Sequence, residues 1–201
     1  MFYMTDKDKL LKNLKDQGCD ENIVNAFRKV EREKYLSEDL QAYAYQDIAL
    51  PIGYGQTISQ PSTVAFMLDL LSLYNKHKVL EVGCGSGYLL NLLTEIDYNL
   101  EIYGTELLKE LVDIASERLK GYKSVKIYHT PNSLGLKDMA PFDRIIVSAA
   151  TNKIPKELFK QLKEGGVMVM PINDSLYKII KKNKKKQITQ YPGFSFVPLK
   201  Y

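Results

Sequence analysis

The chain has 201 residues and a mass of 23.0 kDa, with 45% hydrophobic and 26% charged residues. These proportions are typical of a globular domain and exclude a wholly disordered or fibrous chain. Mean hydropathy is −0.25, and the sequence contains no apolar run of about eighteen residues, the length that spans a membrane. The N-terminus lacks the basic-then-apolar layout of a secretion signal, so we expect the protein to act in the cytoplasm.

Charge and cysteine content argue against two further classes of site. The net charge is +4, and much of the excess lies in a lysine-rich segment at 178–186. A nucleic-acid binder usually shows a stronger basic face interleaved with aromatic residues, so we interpret this segment as a solvated hairpin. The two cysteines, Cys19 and Cys84, form no C-x-x-C pair. We therefore expect neither a disulfide framework nor a bound metal.

The first part of the chain predicts helices and one loop. Apolar residues at helical spacing over 5–30 indicate two short helices, with a break at 18–20. Residues 48–58 contain a proline and two glycines and are interpreted as an irregular loop. A helix is predicted to begin near Pro61. Four apolar residues share one face of that helix: Val64, Met67, Leu68 and Leu71.

From residue 76 the pattern changes to alternating strands and helices. The predicted strands are 78–82, 101–104, 125–128, 144–147 and 167–170. One predicted helix begins at Tyr88, and two others span 107–119 and 155–162. Such alternation implies a parallel sheet covered by helices on both faces. Residues 176–199 alternate without helices, which suits antiparallel strands that close one edge of the sheet.

A glycine-rich turn joins the first of these strands to a helix. It reads E-V-G-C-G-S-G over 81–87, and because Tyr88 follows, it does not match the dinucleotide-binding motif G-x-G-x-x-G. The pattern E-x-G-x-G-x-G resembles the same turn in S-adenosylmethionine-dependent methyltransferases. Glu106 ends the next strand about 20 residues further on, where a carboxylate can accept the ribose hydroxyls of a nucleotide. The alternative is a plain tight turn, with Glu106 as a solvated helix cap.

A second motif, L-P-I-G-Y-G-Q-T-I-S-Q-P over 50–61, precedes the sheet. Ser59 lies just before the helix predicted near Pro61, where free amides and the helix dipole favour an anion. The alternative is that Ser59 is an ordinary N-cap, which stabilises a helix by about 1 kcal/mol. From the local sequence alone, the N-cap is favoured.

Six segments in chain order carry a family resemblance. They are V-E-R-E-K-Y (30–35), I-A-L-P-I-G-Y-G-Q-T-I-S-Q-P (48–61), V-L-E-V-G-C-G-S-G-Y (79–88), A-P-F-D-R-I-I-V-S-A-A (140–150), Q-L-K-E-G-G (161–166) and F-V-P-L (196–199). Together they strongly resemble the protein-L-isoaspartate (D-aspartate) O-methyltransferase family along the whole chain. The G-Q-T-I-S-Q-P segment is the most specific, because other methyltransferases lack it. The resemblance therefore overturns the preference for a plain N-cap at Ser59.

The resemblance implies a single α/β domain over 1–201 with the class I S-adenosylmethionine-dependent methyltransferase fold. This Rossmann-like fold has a mostly parallel seven-stranded sheet with helices on both faces. We expect N-terminal helices and a substrate loop in 1–75, the cofactor-binding core in 76–172 and antiparallel strands in 173–201. The implied activity is protein repair by transfer of a methyl group from S-adenosyl-L-methionine to the free α-carboxylate of L-isoaspartyl residues in damaged proteins and peptides. The product is S-adenosyl-L-homocysteine, and we expect a monomer without nucleic-acid or membrane partners.

The resemblance also implies roles for individual residues. Ser59 takes the position of the family's active-site hydroxyl, a donor to the substrate carboxylate and not a nucleophile. The substrate-binding positions are Thr57, Ile58, Ser59, Val197 and Pro198. The cofactor-binding positions are Glu81, Gly83, Cys84, Gly85, Ser86, Gly87, Glu106, Leu107 and Asn132. A carboxylate with a pKa of about 4 is already ionised at neutral pH, so no general base is needed.

One segment departs from the family pattern. Where the family carries Gly-Asp-Gly, with the aspartate recognising the adenine amino group, this chain has Thr130-Pro131-Asn132. Pro131 offers neither a carboxylate nor an N–H, so we predict that Asn132 or main-chain groups hold the adenine. Two alternative functions remain. One is a class I methyltransferase acting on another carboxylate or small molecule, and the other is a weakly active or non-catalytic isoaspartyl-binding relative.

Overall fold

The computed structural model of the chain describes residues 4–96 and 98–200. Its α-helices are α1 (Asp6–Asp16), α2 (Glu21–Lys29), α3 (Pro61–Leu71), α4 (Tyr88–Glu95), α5 (Lys109–Leu119) and α6 (Lys156–Gln161). Its strands are β1 (Leu50–Gly53), β2 (Gln56–Ile58), β3 (Lys78–Val82), β4 (Glu101–Glu106), β5 (Val125–His129), β6 (Phe142–Val147), β7 (Leu162–Ile172), β8 (Ser175–Lys182) and β9 (Lys185–Pro192). Residues 1 and 201, where the predicted domain begins and ends, lie outside the described residues.

The main sheet has seven strands in the order β5-β4-β3-β6-β7-β8-β9. In this order, each strand from β5 through β4, β3 and β6 to β7 is parallel to the next. Strand β8 is antiparallel to both of its neighbours, β7 and β9. Helices α4, α5 and α6 follow β3, β4 and β6, and a parallel pairing needs such crossovers. The prediction of a mostly parallel sheet closed by antiparallel strands is confirmed.

Two hydrophobic clusters cover the two faces of this sheet, because neighbouring side chains on a strand point to opposite sides. Ile146 on β6 belongs to the cluster that also contains apolar residues of α1, α2, α3 and α4. Its neighbour Ile145 belongs to the second cluster, together with Leu158 of α6. The N-terminal helices therefore pack against the same face of the sheet as α4.

The prediction of an irregular loop at 48–58 is wrong, because this segment contains the antiparallel hairpin β1–β2. Leu50 pairs with Ile58 and Gly53 with Gln56. Tyr54 and Gly55 form the turn with φ of 54° and 69°, and positive φ at both central residues is the requirement of a tight hairpin turn. The strands are too short to show the alternation by which a strand is recognised in a sequence.

The other elements follow the predicted order, with small shifts at their ends. Helix α5 begins at Lys109 and not at Leu107, because the amides of Leu107 and Leu108 bind the Glu106 side chain. Strand β7 already begins at Leu162, and its register against β6 shifts before Val167. Among the helices of 4–96 and 98–200, none is long and apolar enough to cross a membrane.

Candidate active site

A cleft opens at the carboxyl ends of β3, β4 and β6 and contains about 1120 Å³ of empty space, including its mouth. Strand β3 lies between β4 and β6, and the crevice where the strand order reverses is the usual ligand site of such sheets. The opposite wall comes from the β1–β2 hairpin, the start of α3 and the segment 197–200. The cleft therefore joins three parts of the chain that are far apart in sequence.

Most of the predicted site residues line this cleft. The predicted substrate residues found there are Thr57, Ile58, Ser59, Val197 and Pro198. The predicted cofactor residues found there are Glu81, Gly83, Cys84, Gly85, Ser86, Glu106 and Leu107. Within the described part of the chain, Gly87 and Asn132 are not among the lining residues.

The glycine turn is held against β4 by main-chain hydrogen bonds. The amides of Gly83 and Cys84 donate to the carbonyl of Thr105 at 2.8 and 3.0 Å. Gly87 has φ of +85°, and a Cβ placed there would lie 3.1 Å from side-chain atoms of Ala115 and Leu119. The third glycine of the motif thus lets α4 approach α5 closely, a packing role that accounts for its place outside the cleft lining.

Glu106 is held by three backbone amides. Its Oε2 accepts from Gly85 at 2.9 Å, and its Oε1 accepts from Leu107 and Leu108 at 2.8 and 3.1 Å. The residue is 8% exposed, so the alternative of a solvated helix cap is wrong. Because an ionised carboxylate offers about four acceptor sites, these three bonds leave room for a donor from a ligand in the cleft.

Glu81 has an unpartnered oxygen at the wall of the cleft. Its Oε1 accepts a hydrogen bond from the Ser148 hydroxyl at 2.7 Å. Its Oε2 is buried and has no hydrogen-bond partner in the described structure. Burial, with a smaller contribution from Glu106, raises the pKa of Glu81 to about 8, although the Ser148 bond opposes the shift. A buried carboxyl oxygen without a partner favours a ligand that can form a hydrogen bond with it.

Ser59 is not the N-cap of α3, so the N-cap alternative is wrong. Gln60 holds the N-cap position and makes no capping bond with its side chain. The first turn is instead satisfied by Asp47, whose Oδ1 accepts from the Ser62 amide at 2.8 Å and whose Oδ2 accepts from Gln60 Nε2 at 3.2 Å. Ser59 is one of the residues that line the cleft.

The C-terminal segment reaches the cleft by pairing with Ala150, which follows the end of β6. The Ala150 amide donates to the carbonyl of Val197, and the Leu199 amide donates to the carbonyl of Ala150, both at 2.8 Å. Pro198 forms a parallel bridge with Ala150 between these bonds. This pairing holds Val197 and Pro198 in the cleft that Thr57 also lines.

Several lining residues were not among the predicted ones. They include Tyr54, Tyr88, Leu108, Thr130, Ser133, Ser148 and Lys200. Ser148 directly follows β6, and polar residues at the carboxyl ends of parallel strands are a signal that could have found it. Thr130 and Ser133 flank the predicted Asn132. Cys84 is buried, and that burial raises the pKa of its thiol well above the usual value.

Comparison with known proteins identifies the family. The family model described as Protein-L-isoaspartate(D-aspartate) O-methyltransferase (PCMT) matches residues 5–201. A protein-L-isoaspartate O-methyltransferase of Dictyoglomus thermophilum is 43% identical and covers 98% of this chain and 92% of its own length. One from Methanococcoides burtonii is 40% identical, with 94% and 97% covered.

Solved structures agree with this result. A protein-L-isoaspartate O-methyltransferase superposes with a TM-score of 0.88 at 26% identity, and the match covers 97% of this chain and 66% of that protein. One from Plasmodium falciparum, in complex with S-adenosyl-L-homocysteine, gives a TM-score of 0.81 at 29% identity and covers 98% and 99% of the two chains. A precorrin-6y C5,15-methyltransferase from Geobacter metallireducens, with a TM-score of 0.52 at 16% identity, shares the fold. The predicted class I methyltransferase fold is confirmed, and the chain belongs to the protein-L-isoaspartate (D-aspartate) O-methyltransferase family.

Proposed function

We propose that this protein is a repair methyltransferase that transfers the methyl group of S-adenosyl-L-methionine to the free α-carboxylate of L-isoaspartyl residues in damaged proteins and peptides. The carrying observation is that Ser59 lines the same cleft as the glycine turn and the carboxylates of Glu81 and Glu106. Family membership supports the proposal, as does the Plasmodium falciparum relative bound to S-adenosyl-L-homocysteine. Neither alternative drawn from the sequence is favoured by these comparisons.

The cleft residues fit the cofactor. The unpartnered Oε2 of Glu81 suits an α-ammonium group, because a buried carboxylate next to a cation becomes ionised and gains a charge-assisted hydrogen bond. The free acceptor site on Glu106 suits a ribose hydroxyl. When bound, the cofactor supplies a methyl group activated by the positive charge on its sulfur.

Thr130 and Ser133 line the same cleft as Glu106. In this proposal their hydroxyls and nearby main-chain groups hold the adenine in place of the family's aspartate. A contribution from Asn132 stays a prediction from the sequence.

Ser59 orients the substrate carboxylate in this proposal. Its hydroxyl donates to one carboxylate oxygen and leaves the other free to react, so the two oxygens are distinguished before transfer. The carboxylate is ionised at neutral pH, and no general base is required. Holding the reacting groups in a fixed geometry then supplies much of the rate.

The apolar side chains of the cleft exclude water from the reacting groups. Val64, Ala149 and Pro198 line the cleft together with Ser59, as do Ile52 and Leu89. Carboxylate and sulfonium charges cancel during methyl transfer, so a site with little water favours the reaction. As further parts of the same proposal, the protein acts on isoaspartyl proteins and peptides as a monomer in the cytoplasm, without nucleic-acid or membrane partners.

The test uses two synthetic peptides that differ only in an isoaspartyl or aspartyl linkage. Each is incubated with the protein and S-adenosyl-L-methionine labelled on the methyl group. Base-labile label on the isoaspartyl peptide alone is the expected result. Label on neither peptide, with normal binding of S-adenosyl-L-homocysteine, would point to a methyltransferase for another substrate. Label on neither peptide, together with no binding of S-adenosyl-L-homocysteine, would point to a non-catalytic relative.

A further inference from the structure

One buried arginine joins three segments around the cleft. Arg32 is 0% exposed and lies in the 3₁₀ turn Arg32–Tyr35. Its Nη1 donates to the carbonyl of Ala44 at 2.6 Å, and its Nη2 donates to the carbonyls of Ile48 and Ser59 at 3.0 and 3.1 Å. The guanidinium thus reaches the backbone of the proposed active-site serine and the chain on the other side of the β1–β2 hairpin.

The surroundings of Arg32 are not those of an ordinary structural ion pair. Its hydrogen bonds in the described structure go to carbonyls, and its Nε is buried without a partner. Arginine remains charged when buried, and a buried cation without a paired carboxylate lowers stability, whereas well-packed apolar residues at such sites are often neutral or stabilising. Fixing the backbone at Ser59 is a role that an apolar side chain could not fill.

The same guanidinium also contacts the cofactor side of the cleft. It lies over the ring of Tyr88, 5.9 Å from the ring centre. Tyr88 is the first residue of α4 after the glycine turn, and it lines the cleft. Arg32 therefore touches both the loop that carries Ser59 and the element that follows the cofactor turn.

We infer that Arg32 is a positioning residue for the methyl transfer, which holds the Ser59 backbone, and with it the Ser59 hydroxyl, at a fixed place relative to the cofactor turn. The inference rests on the proposed function. It predicts that weakening the hydrogen bonds of Arg32 slows methylation of the isoaspartyl peptide more than it weakens binding of S-adenosyl-L-homocysteine.

Arg144 offers a matched control. It is 7% exposed, and it also donates to backbone carbonyls, with Nε and Nη2 on Ser72 at 3.1 and 2.7 Å and Nη1 on Asp143 at 2.8 Å. Ser72 follows the C-terminal end of α3, and Arg144 is not among the described residues that line the cleft. The two arginines thus share burial and chemistry but differ in their relation to Ser59.

The experiment compares Arg32→Lys with Arg144→Lys, since lysine keeps the charge but loses the planar fork. Both variants are assayed with the isoaspartyl peptide at a temperature where circular dichroism shows them folded. Arg32→Lys should lower kcat/KM on the order of tenfold, while its Kd for S-adenosyl-L-homocysteine stays within about twofold. Arg144→Lys should lower the melting temperature and leave kcat/KM close to wild type. If Arg32→Lys does not fold, Arg32→Gln replaces it, because it removes the buried charge.

Two further measurements separate positioning from general stability. In a Ser59→Ala background, Arg32→Lys should cause almost no additional loss of kcat/KM, because coupled residues are not additive. Hydrogen exchange of residues 56–60 should accelerate in Arg32→Lys and remain unchanged in Arg144→Lys. Three results would overturn the inference. They are an undiminished loss of kcat/KM from Arg32→Lys in the Ser59→Ala background, equal losses of kcat/KM in Arg32→Lys and Arg144→Lys, and unchanged hydrogen exchange of residues 56–60 in Arg32→Lys. If the wild type methylates neither test peptide, the proposed function fails, and the exchange data still decide whether Arg32 anchors Ser59.

Discussion

The Ser148 hydroxyl donates a 2.7 Å hydrogen bond to Oε1 of Glu81, and Oε2 of the same buried carboxyl has no partner in the described structure. Such an unsatisfied group lowers stability, because a buried polar atom loses its contact with water. It lies in the cleft where a donor from the cofactor is expected. The unbonded oxygen therefore makes the free protein less stable, and it leaves a hydrogen-bonding site for the ligand.

Replacing Glu81 with glutamine should stabilise the free protein at high pH. The pKa of Glu81 is raised by burial to about 8, above about 4.3 for glutamate in an unfolded chain. Between these values the folded protein holds a proton that the unfolded chain releases, so the free energy of unfolding falls as pH rises. Glutamine does not titrate, and we expect Glu81→Gln to gain ~1–3 kcal/mol over wild type at pH 8 and much less at pH 5. Thermal denaturation at both pH values measures the difference, and an equal effect at both would contradict the raised pKa.

The same substitution should weaken cofactor binding and abolish a proton release. At pH 7 the Glu81 carboxyl of the free protein is mostly protonated, and an ammonium group beside it favours ionisation. Binding of S-adenosyl-L-homocysteine to wild type should therefore release about one proton at pH 7. Calorimetry in two buffers of different ionisation enthalpy counts that proton.

In Glu81→Gln, the proton should disappear and the Kd should rise roughly tenfold, since a charge-assisted hydrogen bond is lost. Unchanged affinity together with unchanged proton release would exclude Glu81 from cofactor binding.

Ser59→Ala should slow methyl transfer without destabilising helix α3. The structure gives the capping role to Asp47 and places Ser59 among the residues that line the cleft. Loss of a preorganised donor to the reacting carboxylate should lower kcat/KM on the order of 10²-fold, with the Kd for S-adenosyl-L-homocysteine close to wild type.

The matched control for that variant is Asp47→Ala, which removes the acceptor of the Ser62 amide. It should cost about 1 kcal/mol of stability, as loss of a helix cap does, whereas Ser59→Ala should cost less than about 0.5 kcal/mol. A fall in cofactor affinity parallel to the fall in rate, or a loss of stability in Ser59→Ala as large as in Asp47→Ala, would show that Ser59 has a mainly structural role.

The order of strands and helices could be predicted because its signals are local. The apolar strand 78–82, the glycine turn after it and the start of α4 at Tyr88 form one continuous pattern. The contacts that form the site instead join residues that are far apart in the sequence. The bond from Ser148 to Glu81 and that from Arg32 to the Ser59 carbonyl join residues 67 and 27 positions apart, and such pairs leave no periodic trace in a single sequence.

The family resemblance assigns Gly83, Gly85 and Gly87 alike to cofactor binding and does not separate their roles. Gly85 lines the cleft, whereas Gly87 lies where α4 meets α5. Similarly, the local sequence favours Ser59 as the N-cap of α3, but the acceptor of the Ser62 amide is Asp47, a residue in a bend with no helical pattern around it. Tertiary contacts decide these roles, and they follow only from the packed structure.

Gly87→Ala should therefore destabilise the protein more than Gly85→Ala. Both glycines have positive φ, +85° and +50°, so alanine costs about 1 kcal/mol of backbone strain at either position. At Gly87 the new Cβ would also lie 3.1 Å from side-chain atoms of Ala115 and Leu119 and 3.4 Å from the Ala115 backbone. At Gly85 it would meet only the end of the Ile52 side chain, at 3.3 Å, and that side chain can rotate away. Overpacking between helices should add ~1–3 kcal/mol in Gly87→Ala. Urea denaturation of both variants measures the difference, and equal midpoints would show that α4 and α5 can separate to accept a methyl group.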